Sequence, residues 1–360
     1  MTESANPSPH SADDPADNPL PHPSPHPSPH SFVPPALSFN RDSGDGWVED
    51  GTGRRFWGRF GAAGLLAHDR ERGILLQHRA NWSHFGGTWG LPGGARHHDE
   101  TSVQGAIREA NEEAGVPAEA LTLRFTSTLD LGFWSYTTVV VDVATPFDAV
   151  IADAESIEVR WVPIDEVSTL PLHPGFESAW PALRTGLEHG TVLVVDAANV
   201  VGSKPDGWWN DRLGATERFA TALAGRAIHG FPAEALGIEH DSEPGSSTWW
   251  PSILVVVEGQ ARGTVIGDEA HPETDARPGT PAKAHDLATA LSLVRAEADG
   301  DQAIVDTVQR LLAPEFPGTP SPQVLVVTAD RELRTRVQLL GAAVRGPNWL
   351  WQLLEAPPAE

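Results

Sequence analysis

Cysteine is absent from the 360 residues. That excludes disulfides and any thiolate metal site, and it fits a reducing compartment. Basic residues are scarce: 25 Lys and Arg stand against 49 Asp and Glu, a formal net charge of −24. Such a balance disfavours non-specific attraction to nucleic acid or anionic membrane and favours solubility, while leaving room for a locally basic groove. No apolar run approaches the roughly 20 residues of a membrane helix. The start, "MTESANPSPHSADDPADNP", lacks a basic region followed by an apolar core, so no secretory signal is expected. The expectation is a cytoplasmic protein with no membrane partner. The length calls for two domains, each with room for a core.

Residues 1–40 are dominated by Pro, Ser, Asp and His, including "PHPSPHPSPHS" from Pro21 to Ser31. Proline at every second position removes backbone donors and favours extended chain, so this segment reads as a disordered tail. His22, His26 and His30 recur every four residues, a spacing that offers imidazoles to a divalent metal. From Phe60 the pattern changes. "FGAAGLLAHD", "GILLQHRA", "LTLRFTSTLD", "WSYTTVVVDVA" and "IEVRWVP" read as strands, with a helix between the second and third, and "WPALRTGLEHG" closes the segment as a helix. This predicts a mixed sheet.

A second α/β unit begins at Thr191. "TVLVVD", "ILVVVE" and "QVLVVTAD" are continuous apolar runs of the kind buried on both faces of a parallel sheet. "DRLGATERFATALAGRAI", "AKAHDLATALSLVRAEA" and "DQAIVDTVQRLL" between them read as helices. Each strand run ends at or near a carboxylate: Asp196, Glu258 and Asp330. In open parallel sheets the functional crevice lies at the carboxyl ends of the strands.

The most informative stretch is "GARHHDETSVQGAIREANEEAGV", Gly94 to Val116. Thr101 and Gln104 fit a capping box, and Gly115 followed by Pro117 fits a helix stop. Val103, Ala106, Ile107, Ala110 and Ala114 share one face, while Glu109, Glu112 and Glu113 gather on another beside a single arginine. Like charges at this spacing repel. Converging carboxylates need a counter-charge, and oxygen-rich sites suit Mg²⁺ or Mn²⁺. The preceding "LPGG" offers a tight loop, with Gly93, whose carbonyls can approach the same ion. A charge run of this kind is otherwise a solvated helix face.

The spacing decides between them, because the stretch resembles the Nudix hydrolase signature. Gly94, Glu100, Arg108, Glu109, Glu112, Glu113, Gly115 and Val116 stand in its register, with Ala110 a small choice at the aliphatic position. The resemblance covers roughly Phe60 to Leu187. It implies hydrolysis of a nucleoside diphosphate linked to another group. By the family pattern Glu112 and Glu113 are metal ligands, Glu109 is a ligand or base, and Arg108 orients the glutamates through Glu100. Glu155 is a candidate for a further ligand or base, Glu158 a weaker one. Trp82, Phe85, Trp89 and Trp134 are candidates to stack a base, against the alternative that they pack the core. His97 and His98 are expected to face solvent. An oxidised purine triphosphate, a nucleotide sugar and a capped RNA end all remain open as substrates.

The C-terminal half resembles the PIN-like nuclease superfamily, particularly its NYN branch, in "VVDAANVVGSKPDGWWNDR" and "VVTADREL". The resemblance implies Mg²⁺ or Mn²⁺ held by acidic residues at strand ends, and RNA as a partner. Asp196, Asn199, Asp301 and Asp330 are the matching positions. Gln302 departs from the paired aspartates common at the central motif, and a binding module without turnover is the alternative. Lys204, Trp208, Trp209 and Arg212 form either a nucleotide platform or a packed loop. The expected organisation is a tail (1–40), a Nudix-type α/β/α sandwich (41–188) and a PIN-like doubly wound parallel-sheet domain (189–357). A second functional reading makes RNA cleavage the main activity, with the first domain as a nucleotide sensor.

Overall fold

The structure is a computed structural model that describes residues 43–238, 247–266, 291–313 and 321–356. The expected tail, with His22, His26 and His30, lies outside the described residues. A short hairpin, β1 (Trp47–Glu49) and β2 (Arg55–Trp57), precedes a large sheet. That sheet contains β3 (Ala62–Asp69), β4 (Gly73–Arg79), β5 (Trp89–Gly90), β6 (Gly93–Ala95), β7 (Leu121–Asp130), β8 (Ser135–Val143) and β9 (Ser156–Val162). It is mixed: β3 and β8 run parallel at its centre, while β4 pairs antiparallel with β3, β5 and β9.

Two helices cover this sheet. On one face α1 (Ser102–Ala114) sets Val103, Ala106, Ile107, Ala110 and Ala114 against Ala63, Leu65, Leu75, Leu123, Val139 and Val141. On the other, α2 (Pro174–Glu188) sets Phe176, Trp180, Leu183 and Leu187 against Leu66, Leu76, Phe125 and Val140. Both faces of the strands are therefore apolar, which is why "GLLA" and "VVV" read as continuous runs rather than alternations.

The second half builds a five-stranded, all-parallel sheet from β10 (Thr191–Asp196), β13 (Ser252–Val257), β14 (Leu291–Arg295), β15 (Gln323–Val327) and β16 (Ala343–Arg345). Between β10 and β13 lie β11 (Phe231–Pro232) and β12 (Thr248–Trp249). The parallel order is β14-β13-β10-β15-β16, so "TVLVVD" is central, between "ILVVVE" and "QVLVVTAD". Its helices are α3 (Ala197–Gly202), α4 (Arg212–Ala227), α5 (Ala233–Leu236), α6 (Gly300–Leu312), α7 (Arg331–Leu339) and α8 (Pro347–Glu355). Ile304, Val308, Leu333 and Val337 of α6 and α7 cover one face of the sheet, packing on Val194, Val256 and Val326. One expected helix is corrected: within "AKAHDLATALSLVRAEA", Leu291–Arg295 is an edge strand paired with β13. Parallel pairing along all five residues of this segment overrides its local helix propensity. Residues 282–290 of that stretch lie outside the described residues.

The halves share structure beyond residue 188. The short strand β12 pairs antiparallel with β7 of the first sheet, and β11 pairs with β12. Trp249 of β12, 2% exposed, stacks on Phe125 at 4.5 Å between ring centroids and 12° between planes. One core cluster runs from Leu66 and Phe125 through Trp249 to Leu193, Ile253 and Leu325. Phe39–Glu360 accordingly form one compact unit. Trp249→Ala should therefore cost about 3–5 kcal/mol. Chemical denaturation followed by far-ultraviolet circular dichroism should show a lowered midpoint with both halves still unfolding in one transition; two separated transitions would contradict a shared core.

Candidate active site

The first site is assembled by α1. Thr101 caps it, accepting from the Gln104 N–H at 3.2 Å while the Gln104 side chain takes the Thr101 N–H at 3.0 Å. Gly115, at φ +65°, ends it in the left-handed region where glycine carries no Cβ penalty. The intervening turns carry Arg108, Glu109, Glu112 and Glu113.

Arg108 is the hub. Its Nε and Nη2 reach the two carboxylate oxygens of Glu100 at 2.7 and 2.9 Å, and Nη2 also donates to the Ala95 carbonyl at 3.0 Å. Nη1 donates to Glu109 at 2.8 Å and to Glu112 at 3.2 Å. Burial opposes the charge, but these carboxylates win and raise the guanidinium above its usual value. Burial likewise pushes Glu100 up, yet its hydrogen bonds from Arg108 and the His97 N–H leave it below the ordinary carboxylate range.

Glu109 and Glu113 go the other way. Burial raises Glu109 to about 7; Arg108 pulls it down, while Glu112 and Asp45 push it up. A Cβ on Gly94 would stand 2.7 Å from the Glu109 carboxylate, so a larger residue there would have to displace that side chain. Glu113, 5% exposed, is raised to about 8 by burial and by Glu109, with a hydrogen bond from the Gly93 N–H at 2.8 Å opposing. Gly93, a candidate through its carbonyl, also points its N–H at a carboxylate. Glu112 is exposed.

Glu155 comes to the same place. Ligand atoms of Glu113, Asp153 and Glu155 all lie within 4.8 Å of one another. Ser156 donates to Asp153 at 3.5 Å and accepts from Gln77 Nε2 at 2.8 Å, leaving Gln77 Oε1 buried without a partner. Burial and then Asp153 raise Glu155. Glu158 instead lies near Arg160, at 3.8 Å. Sequence reading missed Asp153, Asp45 and Arg79. Asp153 stands two residues from a named candidate; Asp45 belongs to no motif and is placed by tertiary contact alone. The positive charge of Arg79 is felt by Glu113 and Glu155 on one side and by His84 and His173 on the other.

The aromatic candidates separate. Trp89 is buried, stacked on His78 at 4.7 Å with Arg160 over its ring, so it packs. Trp134 leans on Phe56 at 4.8 Å and donates to the Trp57 carbonyl. Trp82 and Phe85 are exposed. His98 is exposed and His97 partly so, 3.4 Å from Glu100.

A second group of acids gathers at the carboxyl edge of the parallel sheet. Asp196, 5% exposed, accepts from Thr328 Oγ1 at 2.8 Å and from Asn199 through its N–H at 3.0 Å and Nδ2 at 2.9 Å. Asp330 caps α7, accepting from the Leu333 N–H at 2.7 Å. Asp301, in the first turn of α6, is raised to about 6 by burial and by Asp196, Asp330, Asp299 and Glu258. Glu258 accepts from the Gly300 N–H at 2.8 Å. Gln302 is engaged elsewhere, with Asp306 and Arg336. A cleft of about 390 Å³ beside Asn199 is lined by Ala198, Gly202, Ser203 and Ala329. The basic groups of the "KPDGWWNDR" loop are already occupied: Lys204 lies over Trp351 and pairs with Glu355, and Arg212 lies over Trp208.

Residues 58–185 match the family model for the NUDIX domain. A curated relative from Mycobacterium tuberculosis, "Putative 8-oxo-dGTP diphosphatase 3", is 52% identical over 163 residues, 42% of this chain and 75% of the relative. A nucleoside triphosphate pyrophosphatase/Nudix hydrolase fusion protein of Bifidobacterium longum is 37% identical over 164 residues, 43% of this chain and 34% of the relative. Among solved structures, the Nudix hydrolase RenU from M. smegmatis is 53% identical, covering 39% of this chain and 94% of that one, with a TM-score of 0.36.

The raised carboxylates fix a pH dependence. Glu113 and Glu109 bind their protons more tightly folded, near pH 8 and 7, than at the ordinary 4.5. Their contribution is fully present below about pH 4.5 and is lost as pH rises through those folded values. Without divalent ions, the melting temperature should fall between pH 5 and 8. Glu113→Gln should flatten that slope in differential scanning calorimetry.

Proposed function

We propose, from the premise that this chain belongs to the Nudix hydrolase family through residues 58–185, that its substrate is an oxidised purine nucleoside triphosphate, cleaved in a metal-dependent reaction. The chain is a hydrolase acting on diphosphate bonds. The carrying observation is the carboxylate cluster of Glu109, Glu113, Asp153 and Glu155 beside Arg79, which pairs a site for cations with a fixed positive charge. The substrate class is the one in the name of the M. tuberculosis relative, an 8-oxo-dGTP diphosphatase.

The donor set fits Mg²⁺ or Mn²⁺. It consists of hard carboxylate oxygens, two of them with raised pKa values near neutrality, next to a buried Gln77 oxygen without a partner. Glu112, Glu113, Asp153 and Glu155 would hold the ions, with Glu109 as a ligand or base. When bound, they would neutralise diphosphate oxygens and lower the pKa of water. The chain itself does the rest. Arg108 fixes Glu109 and Glu112 by direct hydrogen bonds. The Glu109 carboxylate, near neutral in pKa, is suited to take the proton of the attacking water. That water's oxygen bonds to one phosphorus of the diphosphate link as the bridging P–O bond breaks, and the bridging oxygen leaves with its electron pair on the other phosphoryl group. Arg79 offers its charge to the phosphate chain.

The parallel-sheet half supports a second reading, a PIN-like ribonuclease domain over residues 189–357. The observation favouring it is the convergence of Asp196, Glu258, Asp301 and Asp330 at one sheet edge. Among the described residues no helix is long and apolar enough to cross a membrane, and we place the reaction in the cytoplasm.

A panel of nucleoside triphosphates and nucleotide sugars with Mg²⁺ or Mn²⁺ tests the first reading. Glu112→Gln with Glu113→Gln should cut turnover by orders of magnitude with the fold retained; unchanged turnover removes the assignment. For the second, metal-dependent RNA cleavage should disappear in Asp196→Asn and Asp330→Asn and persist in the Glu112/Glu113 double variant. RNA left intact by the wild-type chain would leave the second half a non-cleaving module.

A further inference from the structure

Among the described residues Phe85 is the one non-glycine with positive φ, +56°. That region disfavours side chains with a Cβ, and a bulky ring there signals a retained cost. Packing does not explain it, because Phe85 is 45% exposed. A loop needing only this turn would be better served by glycine.

The ring belongs to a row. Phe85 meets His84 edge-on at 4.2 Å between centroids and His173 at 4.8 Å; His84 meets Trp47 at 5.4 Å. Trp47 is likewise 45% exposed. The loop is fastened from beneath: Thr88 Oγ1 donates to the Phe85 carbonyl at 2.6 Å, and Arg79 Nε donates to the His84 carbonyl at 3.2 Å. His173 Nδ1 accepts from the Gly175 N–H at 3.1 Å, so that nitrogen is unprotonated and the ring is neutral. Burial, Arg79 and His84 hold its pKa down, at about 4. The row is thus a set of uncharged π faces rather than a cationic patch.

Its position relates it to the carboxylates. At the root of the loop the Ala80 N–H donates to the Glu155 carbonyl at 2.7 Å. Arg79 lies between, its charge acting on Glu113 and Glu155 and on His84 and His173. A ligand with its phosphates at the carboxylates and Arg79 would reach the ring row with whatever it carries beyond them.

We propose that Trp47, His84 and Phe85 form the ledge on which the base of a nucleotide substrate stacks, and that Phe85 is held in its strained backbone conformation for that purpose. This rests on the diphosphate-hydrolase reading and deepens it: the group beyond the diphosphate is a flat heteroaromatic ring. Stacking needs no hydrogen-bond code, so the ledge favours purines over pyrimidines by area and leaves finer discrimination to other residues.

The test exploits the strain. Phe85→Gly removes the ring at a position glycine adopts freely, so the variant folds. Calorimetric titration in Mn²⁺ would compare wild type and variant with guanosine diphosphate, uridine diphosphate and inorganic pyrophosphate, alongside thermal melting. We expect guanosine diphosphate to bind roughly tenfold more weakly to the variant, uridine diphosphate to lose less, pyrophosphate to be unchanged, and the melting temperature to hold or rise. Trp47→Ala should repeat the nucleotide effect. Equal nucleotide affinity overturns the proposal, as does an equal loss for pyrophosphate or a melting temperature several degrees lower, either of which makes Phe85 a structural residue. If the wild type binds pyrophosphate but neither nucleotide, the ledge is wrong and the hydrolase reading stands. Binding of none of the three overturns both.

Discussion

One guanidinium holds the first site together. Arg108 carries hydrogen bonds to Glu100, Glu109 and Glu112 and one to the Ala95 carbonyl, so it joins the loop before α1, the helix and β6. Its planar fork suits this in a way a lysine ammonium does not, since Glu100 is engaged bidentately. Without that hub the carboxylates on α1 would have only one another, and a half-buried helix face with three acids would repel itself. The cation leaves one deficit. Glu113, a turn further on, lies beyond its reach; it has a hydrogen bond from a backbone N–H and feels the charge of Arg79, and burial still raises it, so there the structure asks for a counter-charge from outside.

That economy explains how much of the first half was legible. The register from Gly94 to Val116 placed the helix, its capping box and its glycine stop where they occur, because caps and close approaches are local chemistry. β3, β4 and β8 were legible because their apolar runs match burial on both faces. Asp45, Asp153 and Arg79 were not, since they come from separate loops and strands whose convergence depends on how β4, β9 and the N-terminal segment fold together. The Phe85 backbone is another such case: a left-handed phenylalanine has no sequence signature.

The second half shows the same division. The three valine-rich runs predicted parallel strands, and they lie side by side. The edge strand Leu291–Arg295 was misread as helix, because an edge position exposes Ser292 and Arg295 and breaks the apolar run that betrays a central strand. The return of β11 and β12 to the first sheet was also invisible: two-residue strands carry no periodicity, and Trp249 finds its place only by stacking on Phe125. Sequence reading drew two bodies side by side, and tertiary packing runs one core through both.

That return has a consequence for how the protein behaves in concentrated solution. The ten-residue strand β7 offers a row of amides along its outer edge, and β12 pairs with it at Phe125, near the middle of that row. The path β11-β12-β7-β8-β3-β4-β5 ends at one side in Phe231–Pro232 and at the other in Trp89–Gly90, each two residues long. Pro232 has no amide hydrogen to donate, and the Trp89 and His173 amides are both taken in bridging β5 to the chain before α2. The two ends of that path are thus short, and a chain with a formal charge of −24 adds mutual repulsion between copies.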